Sequence, residues 1–158
     1  MGAVRGRAWW VLAAMSVLIV LFGLTDIAAG AEADPGIAVG LTGLSPAELR
    51  AESAAAYRMF DFTTRTQATL LVVVGILFTA ILLGPYRARQ PWAWRLMWLL
   101  PTWSLSVPAA YLVFGLSPDQ APPPPLVSGP ILGVIAALAL LLDRRRFAEP
   151  EPGRPTAG

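Results

Sequence analysis

The chain has no cysteine, no histidine and no lysine. Without cysteine there is no disulfide and no thiol chemistry. Without histidine the usual haem and zinc ligand is missing, and with it the side chain best suited to moving protons near neutral pH. Quinone-coupled thiol oxidases, four-helix cytochromes and claudin-like proteins with a first-loop disulfide are excluded on these grounds. All twelve basic residues are arginine, a bias associated with GC-rich bacterial genomes. Charge is scarce as well. Only 14% of residues are charged, where a soluble domain has roughly a quarter. The net charge of +2 is too small to point to nucleic acid. No phosphate loop, nucleophile elbow or zinc motif is present, so no cofactor and no metal are expected.

What the chain has is long apolar runs. Ala8–Leu24, Ala68–Leu83, Leu96–Phe114 and Leu126–Leu142 hold 17, 16, 19 and 17 residues without a charge. Gly84, Pro85 and Tyr86 carry the second on towards an interface. A spanning helix needs about 17–25 apolar residues, and at about 1.5 Å per residue the runs approach the thickness of a hydrocarbon core. The expected fold is all-α, a four-transmembrane-helix bundle whose first extracytoplasmic loop, 25–67, contains a helix. Its spans cover about 8–24, 68–85, 96–114 and 126–142, with a disordered cytoplasmic tail over 148–158.

The arginines set an expected orientation. Arg5, Arg7, Arg87, Arg89, Arg95, Arg144, Arg145 and Arg146 flank one set of ends; Arg50, Arg58 and Arg65 flank the other. The positive-inside rule then puts both termini and the Tyr86–Arg95 turn in the cytoplasm of a bacterial plasma membrane. Trp9, Trp10, Tyr86, Trp92 and Trp94 fall at those ends as interfacial aromatics. A second reading treats Met1–Arg7, the first run and Ala29-Gly30-Ala31 as a cleavable signal. The length of the run and its two tryptophans favour an anchor.

Within the first loop, Ala28–Gly43 is small and glycine-rich and reads as irregular. Ser45-Pro46-Ala47-Glu48 is a helix start, with Ser45 as N-cap and Glu48 three residues on. From there a single helix is expected to run into the second span, or to bend near Thr63-Thr64. On one helical wheel Arg50, Arg58, Asp61 and Arg65 share an arc. Asp61 is spaced i,i+3 from Arg58 and i,i+4 from Arg65, so either can pair with it. Such a face is either a solvated surface or an anion site, where two arginines sharing one aspartate leave spare positive charge for a headgroup or a partner.

The third run carries Pro101 and Pro108 among Trp98, Thr102, Trp103, Ser104, Ser106 and Tyr111. Prolines free backbone carbonyls, which need partners inside a membrane. This span is expected to pack inward, kinked. Trp98, Pro101, Trp103, Pro108 and Tyr111 would form one wall of any cavity. Pro122–Pro125 reads as an extended connection, and Gly129 with Gly133 as a close helix contact. No charge is expected at the middle of any span, which removes exporters that need a buried carboxylate in the first helix.

The run Trp92-Ala93-Trp94-Arg95-Leu96-Met97-Trp98, with Pro101 and Pro108, resembles a group of uncharacterised bacterial four-helix membrane proteins. Asp26, Leu44-Ser45-Pro46-Ala47-Glu48-Leu49, Phe60-Asp61-Phe62, Arg65 and Val127-Ser128-Gly129-Pro130 share in the resemblance, which covers roughly residues 8–142. It implies the four-helix topology and lends no catalytic residue. The expected function is a non-catalytic, lipid- or partner-binding accessory component, whose partner is another membrane protein or a second copy of the chain. A small transport component and an enzyme using Asp26, Glu48, Glu52 or Asp61 on a lipid are the alternatives.

Overall fold

The computed structural model describes residues 8–113 and 124–148. Among them every element is helical and there is no strand. The helices are α1 (Ala8–Ala29), a 3-10 turn (Gly30–Glu32), α2 (Pro35–Thr42), α3 (Pro46–Glu52), α4 (Ala54–Ile81), a π turn (Leu82–Tyr86), α5 (Pro91–Leu96), α6 (Leu99–Ser104), α7 (Ser106–Val113) and α8 (Pro124–Ala148). Three helical stretches among the described residues are long and apolar enough to cross a membrane: Trp9–Glu32, Ala54–Tyr86 and Leu126–Phe147. They are compatible with a multi-pass membrane protein.

The expected third span is broken. It is divided into α5, α6 and α7, with interruptions around Met97-Trp98 and at Leu105. The prolines explain this. Pro101 has no amide to give Met97, whose carbonyl accepts from Leu100 instead at 3.1 Å. Leu105 donates to Thr102 at 3.3 Å, another three-residue step. Ser104 turns its hydroxyl onto the Pro101 carbonyl at 2.8 Å. The Ser104 carbonyl, which Pro108 cannot serve, faces Gly129, where an added Cβ would collide with it. The hydroxyl of Ser104 would lie 2.7 Å from a Cβ at Gly133. The two glycines thus let the broken segment approach α8 closely.

The main packing is α1 against α4. A Cβ at Gly75 would lie 3.0 Å from the Ser16 carbonyl, and one at Gly23 2.9 Å from the Ala68 carbonyl. Leu12, Met15, Ile19, Phe78, Leu82, Tyr86, Met97, Leu100, Ala136 and Leu140 form one buried cluster drawn from α1, α4, the π turn, the broken segment and α8.

The loop between α1 and α4 is more ordered than its glycines suggest. Pro35 opens α2, and Gly43 closes it in the left-handed region at φ 74, an ordinary helix stop. The Ser45 start forms as a complete capping box: Ser45 accepts from the Glu48 amide and Glu48 accepts from the Ser45 amide. Hydrogen bonds from Ser45 hold the Glu48 carboxyl below its usual range. That contribution is present above the ordinary carboxylate pKa and is lost as pH falls through the lowered value. Ser45→Ala should cost about 1 kcal/mol, read as a lower unfolding midpoint in detergent.

The helix does not continue from Pro46 into the second span, nor does it bend at Thr63-Thr64. It breaks at Ser53, which is extended (φ −149, ψ 97) and caps α4 by accepting from the Ala56 amide. Arg50 is therefore on a different helix from Arg58, Asp61 and Arg65. At the far end of the chain, the extended proline reading is overturned from Pro124 on. Pro124 and Pro125 lie in the first turn of α8, where missing amides are harmless. Pro122, Pro123 and the 149–158 part of the tail lie outside the described residues.

Candidate functional site

Charged groups gather at the two ends of the bundle. The first gathering is the cap formed by the 3-10 turn, α2, α3 and the start of α4. Asp61 and Arg65 act there as a clamp on the end of α1. Asp61 Oδ1 accepts from the Ala31 amide at 2.9 Å. Its Oδ2 accepts from Arg65 Nε at 2.9 Å. Arg65 Nη1 donates to the carbonyls of Ile27 and of Ala28, the latter at 3.3 Å. A helix end leaves carbonyls without partners, and here an arginine from α4 takes two of them. Gly30, at φ 60, places its Cα against this pair.

Arg50 belongs to a second knot. Its Nη2 donates to the Tyr57 hydroxyl, its guanidinium lies 4.1 Å from the Tyr57 ring centre, and Glu32 is 3.7 Å away. Tyr57 donates in turn to Glu32 Oε1 at 3.1 Å. Arg58 does not share Asp61. It is exposed and its Nε donates to the Ala54 carbonyl of its own helix at 3.3 Å. The four residues expected on one face therefore fall into three settings. Beside Arg58, Met59 and Phe62 are 74% and 71% exposed.

Asp26, Asp34, Glu48 and Glu52 make no ion pair among the described residues. Asp26, near the end of α1, makes no ion pair or hydrogen bond with a described residue, and Asp34 makes no ion pair. Both are half-buried. Burial lifts the Asp34 carboxyl above the usual range, and the amides of Gly36 and Ile37 act the other way.

The expected wall residues differ in exposure. Pro101 and Tyr111 are buried, Trp98 packs on the core, Pro108 is half-buried and Trp103 is 38% exposed. An apolar groove of about 370 Å³ lies elsewhere, between Val17, Val20 and Leu21 of α1 and Ile76, Thr79, Ala80 and Leu83 around the end of α4. None of the five wall residues lines it.

The second gathering was missed in the sequence. Asp143 reads there as the polar end of the last span, yet it is 0% exposed. The Tyr86 hydroxyl donates to its Oδ2 at 3.1 Å, and Arg146 Nη1 approaches the same oxygen at 3.5 Å. Oδ1 is buried without a partner. Phe147 packs on Tyr86, and Trp94 Nε1 donates to the Leu140 carbonyl at 3.0 Å. Two expected interfacial aromatics, Tyr86 and Trp94, are thus used inside the bundle. The i,i+3 spacing of Asp143 and Arg146 was the available signal; the partner Tyr86 is 57 positions away.

No metal-holding group of three or more acidic side chains occurs among the described residues. No family model, curated protein or solved structure matches the chain. The function must be argued from the geometry alone.

Proposed function

We propose that this chain is a non-catalytic membrane protein that binds lipid headgroups or a partner protein through its cap, as an accessory component. In this reading the broken segment α5–α7 also crosses the bilayer, making four crossings. The alternation of arginines favours a bacterial plasma membrane with the cap outside and both termini in the cytoplasm.

The observation that carries the reading is the exposed Arg58–Met59–Phe62 face. Ala54–Tyr86 forms 33 helical residues, about 50 Å at about 1.5 Å each. A hydrocarbon core is about 30 Å thick. Charges must leave that core, so the overhang is at the Arg58 end. Two large apolar side chains therefore stand exposed at or above the membrane surface, next to an arginine without an acidic partner among the described residues. The neighbouring cations differ: Arg65 is held by Asp61 and α1, and Arg50 by Tyr57 and Glu32. Among the described residues, Arg58 is the cation of this cap with spare charge.

Arg58→Gln should lower co-purified anionic lipid or partner about fivefold, the effect expected of one arginine near a charged membrane surface. Adding Met59→Ser and Phe62→Ser should lower it further. Native mass spectrometry from nanodiscs reads both. Unchanged recovery in the triple variant would sink the reading.

A further inference from the structure

The second apolar stretch ends at Tyr86, and the next residue is Arg87. The turn that follows closes in an unusual way. Arg89 donates its amide to the Tyr86 carbonyl and Gln90 donates to the Pro85 carbonyl, both at 3.0 Å. That pattern ends a helix with one residue in the left-handed region, a place that glycine normally fills. Here it holds Arg89 at φ 56, the only non-glycine with positive φ among the described residues. A side chain there carries strain, and strain of this kind persists where the surrounding structure has a use for the side chain.

Arg87 and Arg89 are both exposed, and neither has an acidic partner among the described residues. The described acid at this end, Asp143, is buried. The Arg87 guanidinium lies 5.0 Å from the centre of the Trp9 ring, and Trp10 stacks on Trp9 at 4.1 Å. This contact joins the turn to the start of α1. It leaves the positive charge in place, since a ring face attracts a cation without carrying a net charge.

The apolar groove between α1 and α4 leads to the same place. Trp10, Val17 and Leu21 follow one another at seven and four residues, and Trp9 precedes Val20 by eleven, so the two tryptophans continue the groove-lining face of α1. On the other wall, Leu83 lies four residues before Arg87 and Ile76 eleven before it. Eleven helical residues rise about 16 Å, roughly half of a hydrocarbon core of about 30 Å. The groove thus follows the depth of one leaflet, inward from the arginines. The polar group in its lining is already used: the Thr79 hydroxyl donates to the Gly75 carbonyl at 2.8 Å. An apolar channel that ends at unpaired positive charge is complementary to a chain with a negative head.

We propose that the groove between α1 and α4 binds an anionic phospholipid, with one acyl chain along Val17, Val20, Ile76 and Leu83 and the headgroup at Arg87 and Arg89. A second copy of the chain suits the groove less well. Inserted in the same sense, it would bring its own two arginines to this end. The site is at the opposite end of α4 from Arg58, so either can fail without the other.

The test uses the full chain in phosphatidylcholine nanodiscs that contain a trace of phosphatidylglycerol or phosphatidylcholine with a photoreactive diazirine on one acyl chain. Adducts are mapped by peptide mass spectrometry. Phosphatidylglycerol should label segments 17–21 and 76–83 about twenty-five-fold over phosphatidylcholine, at about fivefold for each arginine. Arg87→Gln and Arg89→Gly should each lower that ratio about fivefold, while Arg58→Gln leaves it unchanged. Ala80→Phe, which fills the groove, should remove the labelling with both arginines in place. Arg89→Gly has a second signature that a merely structural residue would not give. It should raise the unfolding midpoint in detergent, because glycine relieves the left-handed strain, while it weakens lipid retention. Equal labelling by the two lipids overturns the proposal, as does an unchanged ratio in both arginine variants. A cross-linked dimer whose groove segments are protected from both lipids assigns the groove to a second copy and likewise overturns it.

Discussion

Gly30→Ala is expected to destabilise the protein by about 2–4 kcal/mol, more than any other single-methyl change in the cap. Part of that is backbone strain. Gly30 sits at φ 60, and a Cβ in the left-handed region costs roughly 1–2 kcal/mol. The rest comes from the clamp. The new methyl would collide with Asp61 Oδ1 and lie 2.6 Å from Arg65 Nη2. Those side chains could move aside, but only by releasing the Ala31 amide and the carbonyls of Ile27 and Ala28. Gly43→Ala is the control. It has the same left-handed conformation, φ 74, and nothing within 4 Å of the added carbon. It should show the strain alone. Unfolding midpoints in detergent for the two variants would separate clamp from strain. Equal losses would mean that the Asp61–Arg65 clamp contributes nothing to stability.

Much of the architecture was legible in residue patterning, and the departures have physical causes. Three of the apolar runs form helices long enough to span, because uninterrupted apolar sequence leaves the backbone no better partner than itself. The third run, Leu96–Phe114, has the hydropathy of a span but also Pro101 and Pro108, and a window of mean hydropathy does not register a missing amide. The break at Ser53 was hidden for the opposite reason. Nothing between Pro46 and Thr66 is a strong breaker, yet Ser53 is also a good cap, and the tertiary contacts of Tyr57 and Leu49 decide between helix interior and helix start. The pairing of Asp61 with Arg65 follows from their spacing. Its target, the carbonyl end of α1, lies 37 and 38 positions away and is invisible to local pattern.

The clearest test of the opposite end is Arg146→Met, which should cost about 3 kcal/mol, the low end for breaking a buried ion pair. Arg146 is 27% exposed on its side chain, while Asp143 is 0% exposed. Removing the arginine therefore strands a carboxylate that water cannot reach, with Tyr86 its one remaining donor. Tyr86→Phe should cost less, about 1–3 kcal/mol, since one hydrogen bond is lost and the counter-charge stays. The arrangement is also held from the backbone side. Pro85 cannot donate an amide, and the turn Leu82–Tyr86 widens to a π turn. That turn delivers the Tyr86 hydroxyl to Asp143. If the penalty in Arg146→Met comes from the stranded charge, Asp143→Asn in the same chain should restore most of it. The amide keeps the shape and an acceptor for Tyr86 but carries no charge. The double-mutant cycle should then give a coupling above about 1 kcal/mol between the two positions. Additive losses would place the effect of Arg146 in its aliphatic packing, and Asp143 would then be held by Tyr86 alone.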